Sequence, residues 1–105
     1  MNDKMAAARP MTLAHLHRHA AEVESIAARH GLSNVRVFGS VARGTADERS
    51  DLDLLVDAEP GTGLFALSAF AGEVEDLLGV PTQVATMHGL KARIRSRVEG
   101  EAVPV

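Results

Sequence analysis

Apolar residues recur along the chain with two different periods, and each period predicts a different kind of element. From Thr12 to about His30 they recur every three or four residues, the spacing of an amphipathic helix, and Gly31 is suited to end that helix. The same spacing predicts another long helix that ends at Gly79, with the apolar stripe Leu64, Leu67, Phe70, Ala71, Val74, Leu77 and Leu78. Its acidic residues, Glu73, Glu75 and Asp76, are expected to form a solvated face.

Short apolar runs between these helices predict three strands: Val35–Phe38, Leu52–Val56 with Asp51 ahead of it, and Thr82–Thr86. A short helical turn is expected over about Ser40–Arg43. A last helix is expected from His88 or Leu90 to Val98. The resulting order of elements is α-β-α-β-α-β-α.

The composition is that of one ordinary globular domain. Of 105 residues, 46% are hydrophobic and 24% are charged, so we expect a single domain over residues 11–105. Residues 1–10 show no clear periodicity, and Pro10 with Thr12 resembles a helix entry, so a flexible N-terminal arm is expected there. The absence of cysteine is compatible with a cytoplasmic protein, and the first residues contain no apolar run of a signal peptide or membrane span. A formal net charge of −3 argues against a general nucleic-acid binder, which would be basic.

Two acidic residues lie inside the second predicted strand. Side chains at positions i and i+2 of a strand point to the same face, so Asp51 and Asp53 are expected side by side, with Leu52, Leu54 and Val56 facing a core. Two adjacent carboxylates repel each other and resist burial, which is best explained by a cation between them. Hard oxygen ligands of this kind, few in number, suit a Mg²⁺ ion that keeps waters and binds substrate phosphates.

The turn after the first predicted strand has the features of a phosphate site. Gly39 lets the backbone approach a ligand closely, and Ser40 offers a hydroxyl and a possible helix N-cap whose following N–H groups would point at an anion. Arg43 and Arg49 are candidate partners for phosphate oxygens. Arg43 could equally form a structural salt bridge to Asp47 or Glu48, and Arg49 could simply be exposed to solvent.

Gly39-Ser40, the ten residues from Val41 to Ser50, and the string Asp51-x-Asp53 together resemble the motif of the DNA polymerase β-like nucleotidyltransferases. The fuller strings V-F-G-S-V-A-R-G and S-D-L-D-L-L-V resemble their smallest branch, the minimal nucleotidyltransferases. Many members of that branch are antitoxins encoded beside a HEPN-type ribonuclease toxin.

This resemblance implies an α+β nucleotidyltransferase fold, with a small mixed sheet flanked by helices. It implies catalytic roles for Ser40, Asp51 and Asp53, with Asp51 and Asp53 holding Mg²⁺ in a two-metal site. Gly39, Ser40, Arg43 and Arg49 would bind the nucleotide. ATP would be the substrate, and AMP would pass to a hydroxyl of a partner protein, a HEPN-type toxin in a hetero-oligomer.

The chain departs from the family pattern at one position. The family has a third carboxylate on the strand after the third helix, and here the corresponding residue is Gln83. A Gln carbonyl can contact a metal, but it carries no charge and cannot act as a general base. General-base assistance is typically worth about 10²–10⁴-fold in rate.

Three explanations of Gln83 compete. The register could be shifted, with Asp57 completing the site, although at roughly 3.3 Å per residue Asp57 lies over about 10 Å from Asp53. The enzyme could work slowly with two carboxylates. Alternatively, the domain could be catalytically degenerate and act as a stoichiometric binding antitoxin. Transfer to RNA ends is disfavoured by the acidic charge and by the lack of room for an RNA-binding lobe.

Two further features have simpler interpretations. His15 and His19 are one turn apart on the first predicted helix, but zinc sites need three or four convergent ligands, so a polar helix face is favoured. The last predicted helix is basic, which favours a solvated face over a patch for phosphates or an acidic partner helix.

Overall fold

The structure is a computed structural model and describes residues 10–105, so the predicted N-terminal arm lies outside the described residues apart from Pro10. The described elements, in chain order, are α1 (Leu13–Arg18), α2 (Ala20–Arg29), β1 (Leu32–Phe38), α3 (Gly39–Arg43), β2 (Leu52–Ala58), α4 (Leu64–Leu78), β3 (Thr82–Ala85), α5 (Ala92–Glu101) and β4 (Val103–Pro104). Across residues 10–105, no helix is both long enough and apolar enough to span a membrane.

The strands form one mixed sheet in the order β3-β2-β1-β4. The central strand β2 runs parallel to β3 and antiparallel to β1, and β1 also pairs antiparallel with β4. The α+β class with a small mixed sheet is therefore confirmed. The edge strand β4 was not predicted: it has two residues, too few to show a period, and its Pro104 can stand at an edge, where one missing N–H is tolerated.

Two boundaries near the N-terminus differ from those predicted. The single helix over Thr12–His30 is divided at His19, whose N–H bonds back to Leu16 in a tight turn before α2 begins. Strand β1 begins at Leu32 instead of Val35, because an irregularity between Ser33 and Arg36 lets the chain keep pairing with β2. Periodicity alone does not indicate either local change of backbone.

The main core fills one face of the sheet. Leu52, Leu54 and Val56 of β2 are fully buried in a cluster with residues of β1, α2 and α4, as their alternation predicts. Burying a side chain of this kind typically contributes about 1.5–3 kcal/mol, so packing fixes the position and rotation of β2. Leu55 and Val98 are also fully buried but lie outside this cluster. Asp53 shares the face of Leu55, and packing of the core therefore directs it away from the main cluster.

Helix α4 has the bounds that its apolar stripe predicts, and it ends at Gly79 in the left-handed conformation, with φ of 74°. Its acids are less free than expected. Glu73 accepts bonds from Arg29 at 2.7 Å and from His30, and Glu75 accepts the N–H of Thr82 at 3.0 Å. The His30 bond is the main cause of the lowered pKa of Glu73. Glu75 and Asp76 are exposed, as predicted, and Glu73 is half-exposed. The bonds of Glu73 and Glu75 also connect α4 to α2 and to β3.

Candidate active site

The two candidate metal ligands lie at the start of the central strand. Asp51 is exposed and immediately precedes β2, and Asp53 is half-buried as its second residue. In the sheet, Asp53 stands between Phe38 at the end of β1 and Gln83 on β3. Core packing of β2 thus places Asp53 beside the turn that follows β1.

Gly39 lies in direct contact with the Asp53 carboxylate. Its φ is +76°, and a Cβ built on it would lie 2.3 Å from Oδ2 of Asp53. No side chain fits in that space, and the left-handed φ independently favours glycine. The carboxylate of Asp53 therefore faces the glycine turn, which is the arrangement that a shared metal and phosphate site requires.

The electrostatic surroundings of Asp53 are unfavourable to its charge. Burial raises the pKa of Asp53, and the nearby charges of Asp51 and Glu101 raise it further, while Arg43 lowers it. The one positive charge nearby does not offset the other three effects. A cation bound at Asp51 and Asp53 would relieve this imbalance.

Gln83 occupies the place where a third ligand would be expected. It pairs with Asp53 in the parallel register of β2 and β3 and is exposed to solvent. Within residues 10–105, no three His, Cys, Asp or Glu side chains come together in a group that could hold a metal ion. The donors at this site are therefore two carboxylates with an amide beside them.

Asp57 does not complete the site. It lies near the far end of β2, where Arg36 Nη2 donates to its Oδ1 at 2.7 Å and Asn34 Nδ2 donates to its Oδ2 at 3.0 Å. Both contacts hold it against β1. The register that brings Gln83 beside Asp53 leaves Asp57 four residues further along the strand.

Ser40 is the second residue of α3 and does not cap the helix. The helix begins at Gly39, its N-cap is Phe38, and no side chain makes a cap hydrogen bond. The reason is the positive φ of Gly39, which turns the chain from strand into helix one residue earlier than expected. The N-cap prediction for Ser40 is therefore wrong. Its side chain is half-buried next to the glycine turn.

Glu101, at the end of α5, is a residue of this site that the sequence did not indicate. Its Oε2 accepts the N–H of Gly39 at 2.7 Å, and Arg43 Nη1 donates to both of its oxygens at 3.1 and 3.2 Å. Partial burial opposes the charge, but these bonds lower the pKa of Glu101 below its ordinary value. Glu101 is 62 residues from Gly39 in the chain, so no local pattern connects them.

The two candidate arginines differ in their surroundings. Arg43 forms a salt bridge, but to Glu101 and not to the expected Asp47 or Glu48. Arg49 is exposed, and its backbone N–H donates to Oδ1 of Asp47 at 2.9 Å within the loop before β2. The structure therefore brings Arg43 to the glycine turn and leaves Arg49 at the surface of the loop.

The predicted histidine pair forms local contacts on α1 and α2. The rings of His15 and His19 are 5.2 Å apart, His19 pairs with Glu22, and His15 is 3.4 Å from Arg18. His15 lies on α1 and His19 at the break between α1 and α2, so these are local polar contacts at the surface and not on one continuous helix.

Comparison with known sequences bears on the chemistry of this site. The sequence profile described as the nucleotidyltransferase domain matches residues 16–105. Protein adenylyltransferase MntA of Thermococcus cleftensis is 36% identical, with 80% of this chain and 93% of the relative aligned. MJ0435 of Methanocaldococcus jannaschii, which is assigned as a protein adenylyltransferase, is 35% identical over 77 residues, covering 73% of this chain and 83% of that protein.

Two solved structures share the architecture. One, assigned as a minimal nucleotidyltransferase, has a TM-score of 0.79 and 46% sequence identity, covering 90% of this chain and 97% of that chain. The other, a toxin–antitoxin crystal structure with AMP-PNP, has a TM-score of 0.69 at 17% identity, covering 81% of this chain and 70% of that chain. The second likeness is one of fold.

Proposed function

The chain belongs to the nucleotidyltransferase domain family, in its minimal branch, and on that premise we propose that it transfers AMP from Mg·ATP to a hydroxyl group of a partner protein. The observation that carries the proposal is the contact between Gly39 and the Asp53 carboxylate, with Asp51 beside it. A turn suited to phosphate and a pair of acids suited to metal meet at one point.

The donor set fits Mg²⁺. Asp51 and Asp53 would hold the ion and Gln83 could add its amide oxygen, and such a small set of hard oxygen donors leaves places for waters and substrate phosphates. When bound, the metal would supply positive charge against the phosphates and the leaving group. The pKa of Asp53 is raised because burial and neighbouring negative charges disfavour its ionised form, and a bound cation would offset that effect.

The remaining roles fall to residues of the glycine turn. Ser40 and Arg43 would hold phosphate oxygens, and Arg49, exposed on the loop before β2, would contact the nucleotide; the half-exposed Arg43 side chain beside the turn supports this assignment. The acceptor hydroxyl would attack the α-phosphorus in line, forming a new P–O bond while pyrophosphate leaves. Gln83 cannot take the hydroxyl proton, so the proton passes to water or to a group of the acceptor, and we expect slow turnover.

The acceptor is proposed to be a protein on the basis of the relatives. Two relatives at 35–36% identity are named or assigned as protein adenylyltransferases, and a protein of the same fold occurs in a toxin–antitoxin structure with AMP-PNP. By the resemblance of its motif strings to the minimal branch, the partner is a HEPN-type ribonuclease toxin, which modification would silence.

The test is to incubate the purified chain and its toxin partner with ATP and Mg²⁺ and to measure the intact mass of the partner. We expect a mass increase equal to one or more AMP groups, absent when EDTA is present. An unmodified partner under conditions in which the two proteins form a complex would contradict the transfer.

A second function is favoured by one observation, the presence of Gln83 directly beside Asp53. On this alternative the domain has lost transfer and neutralises its partner as a stoichiometric binding antitoxin. It predicts that the double variant Asp51→Ala, Asp53→Ala still neutralises the toxin. If that variant is folded and bound yet fails to neutralise, the binding-only alternative is excluded.

A further inference from the structure

The C-terminal end of α5 supplies a carboxylate to the glycine turn. Glu101 accepts one bond from the backbone N–H of Gly39 and a forked pair from Nη1 of Arg43, all between 2.7 and 3.2 Å. Its side chain is only 16% exposed, against 47% for Arg43. The carboxylate is thus enclosed between the turn and the guanidinium, and both of its oxygens are used.

The contact leaves most of the Arg43 guanidinium free. Among the hydrogen bonds of residues 10–105, Arg43 uses only Nη1, so its Nη2 and Nε donors remain available on a half-exposed side chain. A guanidinium is a planar fork, and fixing one nitrogen fixes the directions of the others. Held in this way, Arg43 can meet a phosphate oxygen without first losing the rotamer freedom of a long side chain.

We propose that Glu101 is a positioning residue for nucleotide binding, which holds the Gly39 turn against Asp53 and aims the free donors of Arg43 at a phosphate of the nucleotide. This inference rests on the proposed function. It goes beyond it in giving the C-terminal helix a part in the site: through Glu101, the last turn of α5 sets the geometry of a turn that precedes it by 62 residues.

Glu101 could instead inhibit nucleotide binding, and the direction of the change in Kd on its removal distinguishes the two roles. A carboxylate on an anion site could compete with phosphate, in which case Glu101 would have to leave before the nucleotide binds. Removing a competitor would tighten nucleotide binding, whereas removing a positioning residue would weaken it. Gly39 is buried and the Glu101 side chain is largely enclosed, so breaking the bond would leave a buried N–H without a partner, which favours a lasting contact over a displaced one.

The experiment is to measure the Kd of Mg·AMP-PNP by calorimetry for the wild type, Glu101→Ala, Arg43→Ala and the double variant. We expect each single substitution to weaken binding roughly tenfold or more, the scale of one charge-assisted hydrogen bond. Glu101→Ala should cost less in the Arg43→Ala background than in the wild type, because the part of its effect that acts through Arg43 is already lost and only the support of the Gly39 turn remains. Glu101→Gln keeps one acceptor oxygen and should lie between the wild type and Glu101→Ala.

Glu99 is the matched control. It is exposed on the same helix, so Glu99→Ala removes the same charge without touching the turn, and its Kd should stay within about twofold of the wild type. A role in stability alone would lower the melting temperature of Glu101→Ala without the non-additivity with Arg43.

The outcomes separate this inference from the proposed function. If the wild type fails to bind Mg·AMP-PNP, both are wrong. If the wild type binds and Glu101→Ala binds equally well or more tightly, or if its effect adds in full to that of Arg43→Ala, only the positioning role is wrong.

A measurement on the wild type covers the case in which Glu101→Ala does not fold. The hydrogen bond from the Gly39 N–H to the Glu101 carboxylate can be followed by NMR scalar coupling across the bond. We expect the coupling to persist when Mg·AMP-PNP is bound. Its disappearance on nucleotide binding would identify Glu101 as a displaced competitor and overturn the positioning role.

Discussion

Gln83 lies directly beside Asp53 in the parallel pairing of β3 with β2, at the place where a third acid would face the same ligand. Because this register is set by the buried apolar residues of β2, the position cannot shift to bring another acid there. The chain therefore combines the carboxylate pair Asp51 and Asp53 with a neutral residue at position 83. We therefore expect Gln83, in place of an acid, to lower the catalytic rate without changing the fold.

We predict that Gln83→Asp raises the rate of nucleotide transfer. The new carboxylate would stand beside Asp53, add negative charge for the metal and offer a proton acceptor, for an expected gain of about 10²-fold or more. The measurement is single-turnover transfer of labelled AMP to the partner. Gln83→Asn, which changes the size without adding charge, should show no gain; equal rates for the two variants would mean that the missing acid does not limit this protein.

Gly39→Ala should be more damaging than Gly44→Ala, although both glycines have nearly the same φ, +76° and +77°. The methyl group at position 44 meets nothing within 4 Å, so that variant should lose only the cost of a left-handed backbone, about 1–2 kcal/mol. The methyl group at position 39 would also meet the Asp53 carboxylate at 2.3 Å.

We expect Gly39→Ala to have the lower melting temperature of the two, and to lose binding of Mn²⁺ measured by electron paramagnetic resonance. Gly44→Ala should bind Mn²⁺ as the wild type does. Equal stabilities and equal metal binding would show that Asp53 does not face the turn in solution.

Asp53→Asn should stabilise the metal-free protein. The folded-state pKa of Asp53 is raised above its value of 3.8 in an unfolded chain, chiefly by burial and by Asp51. A carboxyl group whose pKa is higher in the folded state contributes to stability below its unfolded-state pKa. That contribution to stability is lost as the pH rises through its folded-state pKa. At neutral pH in EDTA, the variant should therefore melt above the wild type, and the difference should shrink as the pH is lowered towards 3.8.

Divalent metal should reverse that order, because Mg²⁺ or Mn²⁺ stabilises only the protein that can bind it. The readout is the melting temperature with EDTA and with saturating Mn²⁺. A variant less stable than the wild type in EDTA at neutral pH would contradict the unfavourable environment assigned to Asp53.

Glu101→Gln should show the opposite pH dependence. The folded-state pKa of Glu101 is lowered from 4.5 by its bonds to Gly39 and Arg43, although partial burial opposes this. Its contribution to stability is present above 4.5 and is lost as pH falls through the lower folded pKa. Urea unfolding should find the variant less stable than the wild type at pH 7 and nearly equal in strong acid. Glu99→Gln, on the exposed side of α5, should show no such dependence; a matching loss there would assign the effect to net charge.

The proximity of Gly39 and Asp53 was predictable because the two residues are close in sequence. Gly39 and Asp53 belong to one unit formed by β1, the following turn and β2. The alternation of buried Leu52 and Leu54 determines which face of β2 carries Asp51 and Asp53. Helix α4 was predicted at its observed bounds because its stripe is long and Gly79 ends it.

Features that depend on distant contacts were not predictable. The two-residue strand β4 depends on the edge of β1, with which it pairs at Arg36 and Val37. This pairing holds the end of α5 next to the glycine turn, where Glu101 bonds to Gly39. The break at His19 and the irregularity near Asn34 are local changes of backbone within a continuous apolar pattern. Hydrophobic periodicity indicates which residues are buried, but it does not indicate local breaks in a helix or irregularities in strand pairing.

The most direct test of the central claim is calorimetric titration of AMP-PNP into the purified chain with and without Mg²⁺, repeated for the double variant Asp51→Asn, Asp53→Asn. A metal–nucleotide site between the acid pair and the glycine turn predicts saturable binding by the wild type that requires Mg²⁺, and its loss in a double variant that remains folded. Binding that is independent of Mg²⁺, or that survives in the double variant, would contradict it.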